Sequence, residues 1–210
     1  MRRRLAHYPP AMRIIAGERK GFPIITPEGL HTRPTLSRVR ESMFSILGNA
    51  IPDAMVWDLF AGAGTLGLEA LSRGARSCRF VENHKDALAC LTKNVEKLKY
   101  ETEARIENMH AMQWIDRAVG LNPFIAPHII LADPPYDAES PAQVLKALKH
   151  PTGFTDTLLI LQTSRAVKLN EEGTNWKLLQ QKKYGTTLLW IYRGVDATQA
   201  TEVTESSSIE

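Results

Sequence analysis

The stretch MVWDLFAGAGTLGLEA, residues 55–70, decides the fold, because it joins an apolar run to a glycine-rich loop and then to a helical pattern. The apolar run at 55–60 is typical of a buried strand, and residues 64–73 are typical of a helix that Gly74 ends. The loop contains the pattern G-x-G-x-x-G, at Gly62, Gly64 and Gly67. A strand, a glycine loop and a helix in this order predict the first unit of an open α/β sheet that binds a ligand at the loop.

Strand and helix patterns continue to alternate after this first unit. Further buried strands are expected at residues 77–82, 104–108, 128–133 and 157–162, and helices at 85–99, from after 108 to about 119, and at 140–149. Residues 176–184 and 186–193 meet at a turn at Gly185 and predict an antiparallel hairpin at one edge of the sheet. The predicted class is α/β, a Rossmann-like and mostly parallel seven-stranded sheet with a C-terminal antiparallel hairpin.

The two ends of the chain differ from this regular centre. Residues 12–50 contain two short apolar runs around GERKG, which predict a β-hairpin, and then a helix with Thr35 or Ser37 as its N-cap. Residues 51–194 form the predicted Rossmann-like domain. Residues 1–11 are expected to be a flexible basic extension, and residues 195–210 a disordered polar tail.

Positive charge is concentrated at the start of the chain. Residues 1–40 contain nine Lys or Arg side chains and two acidic ones, a net charge of +7, whereas the whole chain carries +3. A basic N-terminal portion on a weakly acidic body favours a polyanion such as nucleic acid as the partner. A solvated basic face is the alternative interpretation of the same charges.

Other features of the composition argue against several classes of protein. No apolar run approaches the ~20 residues that a membrane-spanning helix needs. The residues after Arg2–Arg4 do not form the apolar core of a signal peptide, which favours the cytoplasm. Cys78 and Cys90 are the only cysteines. Since no histidine or cysteine spacing is typical of a metal site, no metal is predicted.

The glycine loop and two acidic residues indicate a nucleoside-containing cofactor. Glycines let a ligand approach the backbone, and the N-terminus of the following helix favours negative charge. Glu82 ends the second strand 20 residues after Gly62, where an acid can accept hydrogen bonds from ribose hydroxyls. The glycines alone do not separate a dinucleotide such as NAD from S-adenosylmethionine (SAM). Asp58 favours SAM, because a carboxylate repels a pyrophosphate but can orient the cationic amino group of a methionine moiety.

The stretch HIILADPPYD, residues 128–137, ends a strand in an acid, two prolines and an aromatic residue. The prolines restrict the backbone, so the Asp133 side chain and the Pro134 carbonyl become two fixed acceptors. Together they can hold an exocyclic NH₂ group of a base on which Tyr136 stacks. Acceptors on both N–H groups favour a pyramidal nitrogen, whose lone pair can then attack the methyl group of a sulfonium. These three residues are candidate catalytic residues for methyl transfer to an amino group.

The combination of the glycine loop, Glu82 and the DPPY sequence resembles that of amino-directed, SAM-dependent methyltransferases. The N-terminal sequences MRIIAGERKGFPI and TRPTLSRVRESMFSIL are similar to the opening of the RsmD family of bacterial 16S rRNA guanine-N2 methyltransferases. The similarity spans about residues 12–193. The chain departs from the family at Ser37, where Asp is frequent, and at His110, where a smaller polar residue is common.

This resemblance implies a SAM-dependent methyltransferase fold and a 16S rRNA guanosine that is methylated on N2 within the small ribosomal subunit. It implies a SAM pocket formed by Asp58, Ala61, Gly62, Gly64, Glu82, His110 and Ala111, and a guanine held by Asp133, Pro134 and Tyr136. A base inside structured RNA must be flipped out to enter such a pocket. The expected phosphate contacts are Arg13, Arg19, Lys20, Arg33, Arg38 and Arg40. A monomer is expected.

Three alternatives stand beside this interpretation. A DNA adenine-N6 methyltransferase also carries a DPPY-type corner, but only about 70 residues separate the glycine loop from Asp133, too few for a target-recognition region. An NAD(P)-dependent oxidoreductase explains the glycines and Glu82 but leaves DPPY unused. A non-catalytic RNA-binding protein explains the basic start, but not the presence of the glycine loop, Glu82 and Asp133 together.

Overall fold

The computed structural model describes residues 12–27, 34–135, 140–149 and 153–196. The helices in these residues are α1 (Pro34–Leu47), α2 (Thr65–Ser72), α3 (Lys85–Leu98), α4 (Ala111–Val119) and α5 (Ser140–Ala147). The strands are β1 (Met55–Leu59), β2 (Ser77–Glu82), β3 (Ala104–Asn108), β4 (Ile129–Ala132), β5 (Leu158–Ser164), β6 (Trp176–Tyr184) and β7 (Thr187–Gly194). A short 3₁₀ helix, Gly48–Ala50, follows α1.

The seven strands form one sheet in the order β3-β2-β1-β4-β5-β7-β6. The first five strands in this order run parallel, whereas β7 pairs antiparallel with both β5 and β6. The β6–β7 pair is antiparallel because a tight turn joins the two strands, and parallel strands need a long crossover connection. The predicted sheet and its C-terminal hairpin are confirmed. The edge at which the parallel strands end is called the carboxyl edge below.

Helices cover both faces of the sheet. The buried residues of α1, α2 and α3 form one hydrophobic cluster with residues of the sheet. The buried residues of α4 and α5 form a second cluster on the other face. The central strand β4 is buried at every position, as expected for a parallel strand with helices on both sides. No helix in the described parts of the chain is both long and apolar enough to cross a membrane.

The N-terminal segment, residues 12–27, turns back on itself as predicted but does not form a regular two-stranded ladder. A single antiparallel bridge joins Arg13 to Pro23. The Ile14 N–H donates to the Phe22 carbonyl across the turn, whereas the N–H groups of Ile15 and Ala16 donate to the Glu69 carboxylate of α2, at 2.7 and 3.0 Å. The segment is therefore fastened to α2, and residues 12–50 share their hydrophobic core with the rest of the chain.

Helix α1 begins one residue before the first predicted N-cap. Its first residue is Pro34, so Thr35 and Ser37 lie inside the helix and the predicted cap positions are wrong. Proline is favourable at a first helical position, because its missing N–H has no partner there and its φ is already helical. The buried face of α1 consists of Val39, Met43, Phe44 and Leu47, whereas Ala50 in the 3₁₀ turn is exposed.

Candidate active site

Three acidic residues meet at the carboxyl edge near the end of β1. The register pairs Leu59 with Val81 on one side and with Ala132 on the other. Glu82 and Asp133 are the next residues of their strands, so they flank the end of β1, with their backbones about 10 Å apart across two strand spacings. Asp58 lies in β1 itself, on the face covered by α2. All three acids therefore lie at or near the carboxyl edge.

Asp58 is buried and holds the start of α2. Its carboxylate accepts a hydrogen bond from the Gly67 N–H at 2.8 Å, one of the N–H groups in the first helical turn that have no partner within the helix. The N-cap residue, Gly64, has no side chain for this purpose. Burial raises the pKa of Asp58 to about 7, with the Gly67 hydrogen bond opposing the shift and the negative charges of Asp133 and Glu82 adding to it. Asp58 therefore holds the start of α2 and presents a partly ionised carboxyl group to the site.

Glu82 joins the end of β2 to the glycine loop. One carboxylate oxygen accepts the Gly62 N–H at 2.7 Å, and the other accepts the N–H groups of Asn83 and His84 at 2.8 and 2.7 Å. A carboxylate offers about four acceptor positions, so about one stays available for a ligand hydroxyl. The acid predicted to bind ribose is thus held in a fixed orientation before any ligand arrives.

The glycines of the loop differ in what a side chain would meet. A Cβ atom on Gly62 would have no neighbour within 4 Å, so the backbone there faces open space at the carboxyl edge. A Cβ atom on Gly64 would lie 2.5 Å from the Leu91 side chain, and one on Gly67 2.3 Å from Phe80. Gly62 therefore fits close approach by a ligand, whereas Gly64 and Gly67 allow the loop and α2 to pack against α3 and the sheet.

Asp133 accepts a hydrogen bond from a residue that the sequence analysis did not identify. The amide nitrogen of Gln162 donates to Asp133 Oδ1 at 2.8 Å. The pairing of Ala132 with Leu161 explains this contact, because it places Gln162 beside Asp133 at the ends of β4 and β5. Burial raises the pKa of Asp133 to about 7, and the hydrogen bond from Gln162 opposes this effect. Gln162 therefore orients the carboxyl group and favours its ionised form.

The other residues predicted for the site come directly after β3 or β4 in the sequence. Pro134 is buried, whereas Pro135 is exposed. Tyr136 lies outside the described residues. His110 is exposed and precedes α4, and its side chain does not cap the helix. Ala111, the first residue of α4, is buried.

Two further features of the site, at Gln162 and Phe60, were not predicted from the sequence. Gln162 is a polar residue that is only 4% exposed at the end of an apolar strand pattern, and this is the signal that could have identified it. Phe60, between Asp58 and the glycines, has a φ of 63°, which is unusual for a residue with a side chain. Its side chain packs against the second hydrophobic cluster. The sequence gives no indication of this backbone conformation.

The predicted phosphate contacts separate into exposed and internally bonded side chains. Lys20 and Arg38 are exposed, and no hydrogen bond or ion pair occupies either side chain within the described parts of the chain. Arg13 is exposed and donates to the Gly21 carbonyl at 2.9 Å. Arg19 donates to the Leu98 carbonyl at 3.0 Å and lies over the ring of Tyr100. Arg33 lies outside the described residues.

The prediction that Arg40 contacts phosphate is wrong. Arg40 is 5% exposed and donates to the Arg13 carbonyl at 2.6 Å. Its face of α1 points at the N-terminal segment, and burial lowers the pKa of its guanidinium. The sequence gives the charge of a basic residue in a helix, but not whether its side chain points to solvent or into the protein. Arg40 holds the N-terminal segment against α1 and is not available to RNA.

A cavity of about 440 Å³ lies away from the three acids. It is lined on the α4 side of the sheet by Trp57, Arg79, Arg105, Trp114, Arg117 and Phe124, among others. These strand residues precede the carboxyl edge. Since ligands of open α/β sheets bind outside the carboxyl ends of the strands, this cavity is not assigned to the cofactor. Among the described residues no group of His, Cys, Asp and Glu is arranged to hold a metal ion.

The chain resembles known proteins over most of its length. A family model described as "Conserved hypothetical protein 95" matches residues 12–193. The Escherichia coli protein named ribosomal RNA small subunit methyltransferase D is 33% identical over 184 residues, which cover 87% of this chain and 89% of that protein. A Haemophilus influenzae protein of the same name is 33% identical over 187 residues, covering 87% and 93%. The solved structure of yhhF from Escherichia coli matches with a TM-score of 0.73 and 30% identity, covering 88% of this chain and 98% of that one.

Proposed function

The chain belongs to the family described as "Conserved hypothetical protein 95", and from this premise we propose that it methylates the exocyclic N2 amine of a guanosine in 16S rRNA. The methyl donor is SAM, and the fold is that of SAM-dependent methyltransferases. We infer an rRNA substrate from the names of the relatives in Escherichia coli and Haemophilus influenzae. We infer the guanine N2 atom as the methyl acceptor from the resemblance to the RsmD family. We place this reaction in the cytoplasm, on the small ribosomal subunit, with the enzyme as a monomer.

The observation that carries this proposal is the group of three acids at the carboxyl edge. Strand register brings the three acids to one end of β1, and burial, followed by the negative charges of Asp133 and Glu82, raises the pKa of Asp58. A pyrophosphate would be repelled there, whereas SAM carries a sulfonium and an ammonium group and is attracted. This charge favours SAM over NAD(P) and supports a methyltransferase over an oxidoreductase.

The residues present fit SAM. Gly62 leaves open space at the loop, Glu82 retains an acceptor position for a ribose hydroxyl, and Asp58 supplies negative charge toward the methionine amino group through water. His110 and Ala111 follow β3 at the same edge, where they would flank the adenine. When bound, SAM supplies an electrophilic methyl group on sulfur. The chain itself supplies position and charge, which account for most of the rate in such a transfer.

Asp133 and Pro134 would hold the amine of the target base. The ionised Asp133 carboxylate accepts one N–H, and the Pro134 carbonyl accepts the other. Because Gln162 already occupies Oδ1 of Asp133, the free acceptor positions of the carboxylate are oriented in advance. Tyr136, from the same corner of the sequence, would stack on the base. No strong base is needed, because the amine becomes acidic once it carries the additional methyl group.

Lys20 and Arg38 are the best-placed described cations for the RNA phosphates, because both are exposed and neither side chain bonds another described residue. Arg13 and Arg33 are the further candidates. Arg19 contributes through the part of its guanidinium that is not engaged with Leu98. Such contacts position the RNA without reading its sequence.

The experiment that tests this function is transfer of labelled methyl groups from SAM to small ribosomal subunits that lack their native guanine-N2 methylation. Free 16S rRNA and plasmid DNA are run beside the subunits, and the modified nucleoside is identified by mass. We expect N2-methylguanosine on subunits. Label in DNA as N6-methyladenine would favour the DNA methyltransferase alternative, and absence of label on every RNA would refute the rRNA assignment.

The rate of transfer should depend on the ionisation of Asp133. Burial raises the pKa of this carboxyl group to about 7, and only the ionised form accepts the amine N–H without placing a proton in its way. We therefore expect kcat at saturating SAM to rise with pH through about 7 and to level off above it. Measurement of kcat from acid to alkaline pH checks this, and a kcat independent of pH around neutrality would contradict the role given to Asp133.

Gln162→Met should shift this pH profile. The substitution keeps the side-chain volume but removes the N–H that favours the ionised Asp133, so the pKa of Asp133 rises and the acid limb of kcat moves to higher pH. We expect kcat at neutral pH to fall by about ten-fold, the equivalent of one hydrogen bond to a charged group. Thr163→Val is the matched control on β5, because Thr163 bonds Trp190 and not Asp133. An unshifted acid limb in Gln162→Met would contradict the positioning role.

A further inference from the structure

Asn94 connects two parts of the chain that the proposed reaction uses separately. It lies in α3 and is 0% exposed. Its side-chain oxygen accepts the Ile25 N–H at 2.8 Å, and its amide nitrogen donates to the Ile25 carbonyl at 2.8 Å. The same nitrogen also donates to the Ala63 carbonyl at 3.0 Å. One buried side chain thus holds the N-terminal segment and the glycine loop at once.

The two partners of Asn94 lie next to the two proposed binding regions. Ala63 stands between Gly62 and Gly64, in the loop where SAM would bind. Ile25 belongs to the N-terminal segment, which carries Lys20 and leads toward α1 with Arg38. Because Asn94 lies in the interior of the protein, a shift of either partner would leave a buried polar group without a hydrogen bond, which is unfavourable. The positions of loop and segment are therefore not independent.

We propose that Asn94 is a positioning residue that couples the SAM-binding loop to the RNA-facing N-terminal segment, so that each ligand strengthens binding of the other. This inference rests on the proposed function. A cofactor that orders the loop fixes the Ala63 carbonyl, which fixes the Asn94 amide and, through it, the backbone of Ile25. Coupling between sites is reciprocal by thermodynamic necessity, and its usual size is about 5- to 150-fold in affinity.

The contacts of the N-terminal segment with Ser72 do not provide this connection. Ser72 Oγ accepts the Arg19 N–H at 3.0 Å and donates to the Ala16 carbonyl at 2.6 Å. Ser72 is the last residue of α2 and makes no hydrogen bond to the glycine loop among the described residues. Ser72 thus anchors the same segment as Asn94 without a bond to the SAM site. Ser72→Ala is therefore a matched control for Asn94→Ala, since both truncate a buried polar side chain that bonds this segment.

The test is amide hydrogen exchange of the full-length protein with and without saturating S-adenosylhomocysteine, followed in the peptide that contains Ile25. We expect the cofactor product to slow exchange at Ile25 at least about five-fold in the wild type. Asn94→Ala should reduce this ratio to about one, whereas Ser72→Ala should retain it. The exchange rates at Ile25 without and with S-adenosylhomocysteine are compared within each variant. A general loss of stability changes both rates and therefore does not by itself reduce their ratio to one.

The exchange measurements can overturn the proposed coupling separately from the proposed function. Wild-type exchange that is unchanged by S-adenosylhomocysteine, or an Asn94→Ala ratio equal to that of the wild type, overturns the coupling. The effect of S-adenosylhomocysteine on wild-type exchange at Ile25 still tests the coupling if the Asn94→Ala variant does not fold. Methyl transfer to rRNA without any effect on Ile25 exchange refutes this inference alone, whereas failure to bind S-adenosylhomocysteine refutes the proposed function as well.

Discussion

Asp133→Ala should lower kcat for methyl transfer by about 10²–10³-fold, the usual loss when one fixed electrostatic contact to the reacting group is removed. The variant retains the Pro134 carbonyl but no longer has an acceptor for the second N–H of the amine. Cofactor affinity should change little, because Glu82 and the glycine loop keep their own hydrogen bonds. Steady-state kinetics on small subunits and calorimetric titration with S-adenosylhomocysteine give the two quantities separately.

Stability distinguishes this loss from unfolding. Burial disfavours the ionised Asp133, as its raised pKa shows, and its removal relieves this cost but leaves the buried Gln162 amide without its acceptor, so the melting temperature at neutral pH should change little. Asp133→Asn is the isosteric companion, since it keeps the volume but presents an NH₂ group where an acceptor is required. If either variant retained more than half of the wild-type kcat, Asp133 would not be the acceptor of the amine.

Gly17→Ala should have the largest effect on stability. Gly17 has a φ of +84°, and a Cβ atom there would lie 1.7 Å from the backbone oxygen of Ser72. The turn would have to move away from α2, which breaks the 2.8 Å bond from the Glu18 N–H to that oxygen. With backbone strain and lost contacts together, we expect a loss of about 3 kcal/mol, which lowers the melting temperature by about 6–12 °C in a domain of this size.

Gly21→Ala is the matched control for this prediction. Gly21 has the same φ of +84°, but a Cβ atom there would meet nothing within 4 Å. It therefore carries only the cost of the left-handed backbone, about 1–2 kcal/mol, and the melting temperature should fall by about 2–8 °C. Thermal unfolding followed by circular dichroism compares the two variants. Equal losses would show that contact with Ser72 does not fasten the N-terminal segment.

Much of the fold was predictable because its elements carry local patterns. The bounds of β2, β3 and β6 agree with the predicted residues, and those of the other strands differ by one or two positions. Apolar periodicity and the placement of glycines are properties of neighbouring residues, so they can be recognised without knowledge of the partners. The acids at positions 58, 82 and 133 were predictable for the same reason, since each ends or nearly ends a strand pattern.

The N-terminal region was predicted less well. Its apolar runs indicated a hairpin, but they did not indicate that the Glu69 carboxylate accepts the backbone N–H groups of Ile15 and Ala16. Arg40 was assigned to RNA on its charge, yet it donates inward to the Arg13 carbonyl. Both partners are distant in the sequence, more than 25 residues in each case, and no local pattern connects them.

By itself, the sequence determined the order of strands and helices, the glycine loop and the three acids at the carboxyl edge, because backbone preferences and burial patterns repeat over a few residues. Only the tertiary structure decided which polar side chains support them. Gln162 of β5 bonds Asp133 at the end of the neighbouring strand β4, and Asn94 bonds Ile25 and Ala63 from the middle of α3. A buried polar side chain is stable only where a partner satisfies it, and that partner is placed by the packing of the whole chain rather than by its neighbours in sequence.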